Sequence, residues 1–288
     1  MAHLPSLQTL RAFEAAERLL VEGKTIPGRV TVTPGPLASM RVQPERVQIQ
    51  AGTELQLQAV GHDAAGNPVE LTPTWSLSGD LGELAPGGVL RAQRVGIGEL
   101  QAMAGTPPVR ATAALEVTPA PLQRLDMTPK AATLKAGDNQ LFTVTGFDAF
   151  GNARPVQPTW RLSAAIGTMD ATGMLTATYL GQAQLEASAE GLKAQGSLTV
   201  QAAELATIRV EPAGPLSLLA GQKISFKATG QDAYGNPVAL TPTWHQSSQL
   251  GTLSPTGELQ AERAGTGNVI VSSSNKQTAI PVRVLPGP

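Results

Sequence analysis

The chain contains no cysteine, which removes disulfides, thiolate metal sites and a cysteine nucleophile together. That absence says little about compartment, because sandwiches of ordinary size are stable on their cores alone. Charged residues are scarce at 15%, aromatics at 3%, and the net charge is −1, so no basic field exists to attract nucleic acid. No apolar run approaches the roughly 20 residues that a membrane span requires, so membrane insertion is not expected. Met1 to Gly23 lacks a basic stretch followed by an apolar run and a small-residue cleavage site, which implies either a leader already removed or a protein never secreted by that route. The three histidines, His3, His62 and His245, form no i, i+3 or i, i+4 pair and sit in no ligand cluster. Gly96-Ile-Gly98 and Gly265-Thr-Gly267 lack the third glycine and the lysine of a phosphate loop, and there is no Gly-x-Ser-x-Gly elbow. The residues therefore point to a non-enzyme without a cofactor.

What the chain does contain is a repeat. Asp63-Ala-Ala-Gly-Asn-Pro-Val returns as Asp148-Ala-Phe-Gly-Asn-Ala-Arg and as Asp232-Ala-Tyr-Gly-Asn-Pro-Val. Each Asp precedes by 12 residues a Trp in Pro-Thr-Trp, at Trp75, Trp160 and Trp244, with intervals of 85 and 84 residues. A glycine lies 23 residues before each Trp (Gly52, Gly137, Gly221) and others 7, 13 and 21 after it, with Leu90, Leu175 and Leu259 each 15 after. So many coincidences in one register define tandem repeats.

Within a repeat, Leu55, Leu57 and Ala59 alternate with polar residues, as do Phe142 and Val144, and Ile224, Phe226 and Ala228. A period of two reads as a half-buried strand, and Gly-Asn-Pro, Pro-Gly-Gly and Thr-Gly supply the turns between strands. About seven short strands and one Trp in some 84 residues predict an all-β fold of three tandem immunoglobulin-like β-sandwiches in a semi-rigid rod. The segments are an arm at 1–36 and repeats at 37–120, 121–204 and 205–288. Trp75, Trp160 and Trp244, with Leu90, Leu175 and Leu259, are the expected core, the Trp filling the space where antibody domains place a disulfide.

The run Trp-x-x-Ser, then Leu-Gly-x-Leu and Gly-x-Leu-x-Ala, as in Trp75–Ser78, Leu81–Leu84 and Gly88–Ala92, resembles the group 2 bacterial Ig-like family. The Asp-Ala-x-Gly-Asn-Pro-Val hairpin is similar to that of related domains in invasin- and intimin-like surface proteins. The resemblance covers roughly residues 37–288; the second repeat departs from it at Ala153-Arg154 and Ala183. It implies a sandwich fold and a role as stalk, spacer or adhesion module.

Two features leave alternatives open. Asp63/Asn67, Asp148/Asn152 and Asp232/Asn236 could offer oxygens to Ca²⁺. One carboxylate per turn is few for an ion that takes six to eight oxygens, and Asp and Asn also close turns by bonding local N–H groups, which fits better. In the arm, residues 6–22 read as a helix between Ser6 and Gly23, with Leu7, Leu10 and Phe13 on one face, docked on the first repeat, on another subunit or on an upstream domain. Residues 29–33, including Val30 and Val32, match the ending of a repeat (compare Leu115-Glu-Val-Thr-Pro-Ala-Pro and Val282-Arg-Val-Leu-Pro-Gly-Pro) and so read as an orphan last strand, either a stub or an assembly element. The expected function is a structural or adhesive spacer at the cell surface or outside the cell. The alternatives are a phage virion component held by the arm, and a carbohydrate-binding segment of a larger enzyme. The partners expected are proteins, identical subunits head to tail among them, with a surface glycan as a further ligand.

Overall fold

A computed structural model describes residues 18–21, 24–27 and 33–287, and the described residues form strands without a helix. Arg18–Val21 pairs antiparallel with Lys24–Pro27, Val21 facing Lys24. The expected helix over 6–22 therefore fails at its C-terminal end. Val21, Thr25 and Ile26 are β-branched, and such residues favour strands over helix. Leu7, Leu10, Phe13, Val30 and Val32 lie outside the described residues.

The first repeat opens with Leu37–Gln43, which pairs with Gln58–Asp63, itself paired with Pro68–Val69. Pro44 has no N–H to give a ladder, and beyond it Arg46–Gln50 pairs parallel with the last strand, Val109–Thr118. That strand runs antiparallel to Gly96–Ala104, which carries Thr74–Leu77 at the edge. A three-stranded sheet of Glu54–Gln56, Val89–Ala92 and Gly82–Leu84 completes the sandwich. The third repeat reproduces all three sheets with Thr207–Glu211, Leu216–Leu219, Lys223–Ser225 and their partners. The second reproduces the four-stranded sheet (Ala131–Lys135, Leu192–Gln201, Gly181–Ala189, Thr159–Leu162) and the sheet of Asn139–Leu141, Met174–Ala177 and Gly167–Met169. The architecture is an all-β series of Ig-like sandwiches.

Alternation along the strands builds the cores. On Val109–Thr118, Ala111, Ala113, Leu115 and Val117 face inward while the residues between them face water. Leu90, Leu175 and Leu259 are fully enclosed, together with Leu100 and Leu185. By compactness the chain divides into two units that do not follow the repeats. One runs to Gln123 and also takes in Phe147–Arg154; the other comprises Arg124–Gly146 and Pro155–Pro288.

The tryptophans sit elsewhere than expected. Trp75, Trp160 and Trp244 are half-buried on Thr74–Leu77, Thr159–Leu162 and Thr243–Gln246, and Trp75 and Trp244 pack against the cores of their repeats. Each of these strands has a neighbour on one side only, so its side chains keep one flank exposed. The indole lies over the turn glycine 13 residues on: a Cβ on Gly173 would stand 2.8 Å from Trp160 Cζ2. The centre of the sandwich is instead filled at the slot of Leu57, Phe142 and Phe226, of which Phe142 is 0% exposed.

Candidate functional site: the Asp–Asn turns and the repeat junctions

The three Asp–Asn turns share one geometry. The Asp N–H donates to the carbonyl of the Asn four residues on, and the turn glycine N–H donates back to the Asp carbonyl. The carboxylate is then saturated with donors. Asp232 Oδ1 accepts from Tyr234 N–H at 2.9 Å and Asn236 N–H at 2.8 Å; Oδ2 accepts from Asn236 Nδ2 and Ala203 N–H, both at 2.9 Å. Asp148 repeats this with Phe150, Asn152 and Ala120, and Asp63 with Ala65, Asn67 and Gly35. The fourth donor comes in each case from the linker that leads into the repeat, so the Asp ties the incoming chain to the hairpin. Thr33-Pro-Gly-Pro-Leu and Thr118-Pro-Ala-Pro-Leu use the same slot, Gly35 and Ala120.

The electrostatics follow from this geometry. Asp63, held chiefly by the Asn67 amide and the Gly35 N–H, has its pKa lowered from 3.8 to about 2. Burial pushes Asp148 and Asp232 up, but the bonds from their Asn partners and from backbone N–H groups outweigh it and hold both carboxyls below the usual range. A carboxylate ringed by four N–H donors has no lone pair left for a cation. Among the described residues no three His, Asp or Glu converge as metal ligands, and the turn role accounts for every oxygen of Asp63, Asp148 and Asp232. His62 is half-buried and His245 exposed.

These depressed pKa values set a sign for acid stability. Each carboxylate binds protons less readily folded than unfolded, so its contribution is complete above the unfolded pKa and is lost as pH falls through the folded one. The expected result is a melting temperature that falls steadily from about pH 4 towards pH 2, the window from the ordinary Asp pKa to that of Asp63. A flat profile across that window, read by circular dichroism, would contradict the turn geometry.

The asparagines do a second job that sequence reasoning missed. Inside one compact unit, Asn152 Nδ2 donates to Gln93 O at 2.8 Å and its Oδ1 accepts from Val95 N–H at 3.0 Å. Inside the other, Asn236 Nδ2 donates to Thr178 O and its Oδ1 accepts from Leu180 N–H, both at 2.9 Å. Each side-chain amide thus reads one C=O and one N–H of a loop in the preceding repeat, as a backbone amide would in a sheet. The neighbouring aromatic is seated in the same contact. Phe150 lies over Gly52 (φ +86°), where an added Cβ would come within 2.6 Å of the ring, and Tyr234 lies over Gly137 (φ +93°), where the hydroxyl would be 2.2 Å away. Only glycine fits such a seat with that φ. The signal was present in the sequence: Asn follows Asp by four in every repeat, and an aromatic occupies the middle of the second and third turns.

No family model matches the chain. Ice-binding protein 1 of Shewanella frigidimarina (strain NCIMB 400) is 27% identical over 237 residues, which cover 79% of this chain and 26% of that protein. The chain therefore spans about a quarter of that relative's length. Among solved structures, surface layer protein SbsC domains 1–6 aligns at 20% identity and TM-score 0.31, over 92% of this chain and 42% of that one. The cadherin domains 1–5 of protocadherin gamma B2 align at 12% identity and TM-score 0.41, over 91% and 63%. Drosophila N-cadherin EC1-4 aligns at 12% identity and TM-score 0.40, over 87% and 76%. The fold assignment itself rests on the strand pairings above.

Proposed function

We propose that the chain is a non-enzymatic spacer or adhesive segment of an extracellular or cell-surface protein, made of Ig-like repeats of the group 2 bacterial kind. The observation that carries this reading is how the recurring polar residues are used. In every repeat the Asp is consumed in tying linker to hairpin, and in the second and third the Asn is consumed in gripping the repeat before. The residues the repeats hold in common fix geometry and leave no reactive group over, which is what a spacer requires. The relative named for binding ice supports an extracellular setting, since ice is a surface met outside the cell. Ice contact itself belongs to that whole protein.

Single-molecule pulling on the full chain tests the reading. A spacer of stacked sandwiches gives separate unfolding steps, each lengthening the chain by about 30 nm, the contour of some 84 extended residues. Featureless extension at low force would sink the proposal.

A further inference from the structure

The outer face of the four-stranded sheet carries a depression at the same place in each repeat, and its chemistry changes from one to the next. Glu99 and Ala114 lie in it in the first repeat, Gln184 and Ser197 in the second, Asn268 and Pro281 in the third, each a cross-strand pair. In the first its charges are mixed, Arg41 and Arg46 with Glu45 and Glu99; in the second its lining is uncharged. In the third it measures about 550 Å³, against about 420 and 240 Å³, and its lining holds one arginine and no carboxylate. Strand register builds this third site. Val282 and Val284 face the core, so Arg283 between them points outward. Its neighbours across the strands are Ser217 on one side and Thr266 on the other, both exposed. Beside them, Asn268 N–H donates to Ser247 Oγ at 2.9 Å, which leaves that hydroxyl's own proton to donate outward. Among the described residues the Arg283 guanidinium has neither an ion pair nor a hydrogen bond. In its slot the first repeat has Glu116, bonded by Gln48 Nε2 at 3.2 Å, and the second has Thr199. Glu116 stays exposed although a further repeat follows it, so the exposure of this slot does not depend on where a repeat stands in the chain.

From this we infer that the outer face of the third repeat binds a pyranose sugar bearing a carboxylate. The Arg283 guanidinium takes the carboxylate through two parallel N–H···O bonds, a geometry its planar fork matches. Ser217, Thr266, Ser247 and Asn268 exchange hydrogen bonds with the ring hydroxyls, and Pro215 and Pro281 give the ring's C–H face an apolar surface. The volume lies within the range of small-molecule sites. Water reaches every one of these groups, so the charge pair is screened and a single sugar binds weakly. The mixed charges of the first repeat and the uncharged lining of the second do not offer a carboxylate an unpaired cation. The inference deepens the adhesive reading above, on which it rests, by naming a ligand class. Pulling and sugar binding measure different properties, so either can fail alone.

The test is an NMR titration of the ¹⁵N-labelled full chain with glucuronate, and separately with glucose and with acetate. Glucuronate is expected to shift the amide signals of Ser217, Thr266, Asn268 and Arg283 and to saturate at about millimolar concentration. Glucose lacks the carboxylate and acetate lacks the hydroxyls, so each is expected to bind roughly tenfold more weakly or worse. The amides of Glu99 and Gln184, in the corresponding depressions, should not move. Arg283→Gln should weaken glucuronate binding by roughly tenfold, with the rest of its spectrum matching the wild type's as proof of folding. The three probes on wild-type protein decide the matter even without that variant. If glucuronate gives no saturable shift at these amides, if glucose or acetate binds as tightly, or if folded Arg283→Gln binds as well as wild type, the inference is wrong.

Discussion

Replacing Phe142 by Ala is expected to destabilise the second repeat by roughly 3–5 kcal/mol, and Trp160→Ala by clearly less. Among the described residues Phe142 is the largest side chain shielded completely from water, on the stretch between Asn139–Leu141 and the start of Thr143–Phe147. Its own N–H is fixed to Gly173 O at 2.8 Å, so the backbone cannot close in to fill the hole, and truncation leaves a cavity. Trp160 has more surface to lose but already shows one flank to solvent, and its buried Nε1 has no hydrogen-bond partner. Truncating it therefore sacrifices less apolar burial and relieves one unpaired polar group. Urea denaturation monitored at 222 nm compares the two. If Trp160→Ala proved the costlier change, the ring would be the true centre of the sandwich.

That contrast marks what could be read from residue order. The repeat spacing located two turns in each repeat, because turns require particular residues at particular positions: Gly88, Gly173 and Gly257 at positive φ, and the Asp–Asn pair around each tight turn. The alternation around Leu57 and Phe226 marked the strands and their inward faces. The Trp drew attention as the largest recurring side chain, but its depth is decided by where its strand falls in the sheet, and a strand's neighbours are non-local facts. Residues 6–22 looked helical by composition, and only the pairing of Leu19 with Ile26 and Leu20 with Thr25 shows a ribbon at the end of that run. The Asn clamps were hidden for a different reason. Their partners, Gln93 O, Val95 N–H, Thr178 O and Leu180 N–H, are backbone atoms, which put no constraint on side chains, so only the Asn and the aromatic left a mark in the sequence.

The same economy makes one carboxylate unusually consequential. Asp232→Ala is expected to cost roughly 2–4 kcal/mol, because the N–H groups of Ala203, Tyr234 and Asn236 lose a charged acceptor and stay buried or half-buried without another. The damage spreads past the turn. Asn236 Nδ2 is held in place by Asp232 Oδ2, and without that bond the amide is free to turn away from Thr178 O and Leu180 N–H, so the junction with the second repeat loosens with the hairpin. Asp232→Asn separates charge from shape. Its oxygen still serves Tyr234 and Asn236 N–H, but its amide group meets the Ala203 N–H and the Asn236 Nδ2 donor to donor, so it should fall between wild type and Ala. Because the site is built from N–H donors, a chelator should leave the wild-type melting temperature unchanged, and added calcium should not raise it. A calcium-dependent rise that vanished in Asp232→Ala would mean that the carboxylate turns outward to metal, and the clamp would have to be rebuilt around an ion.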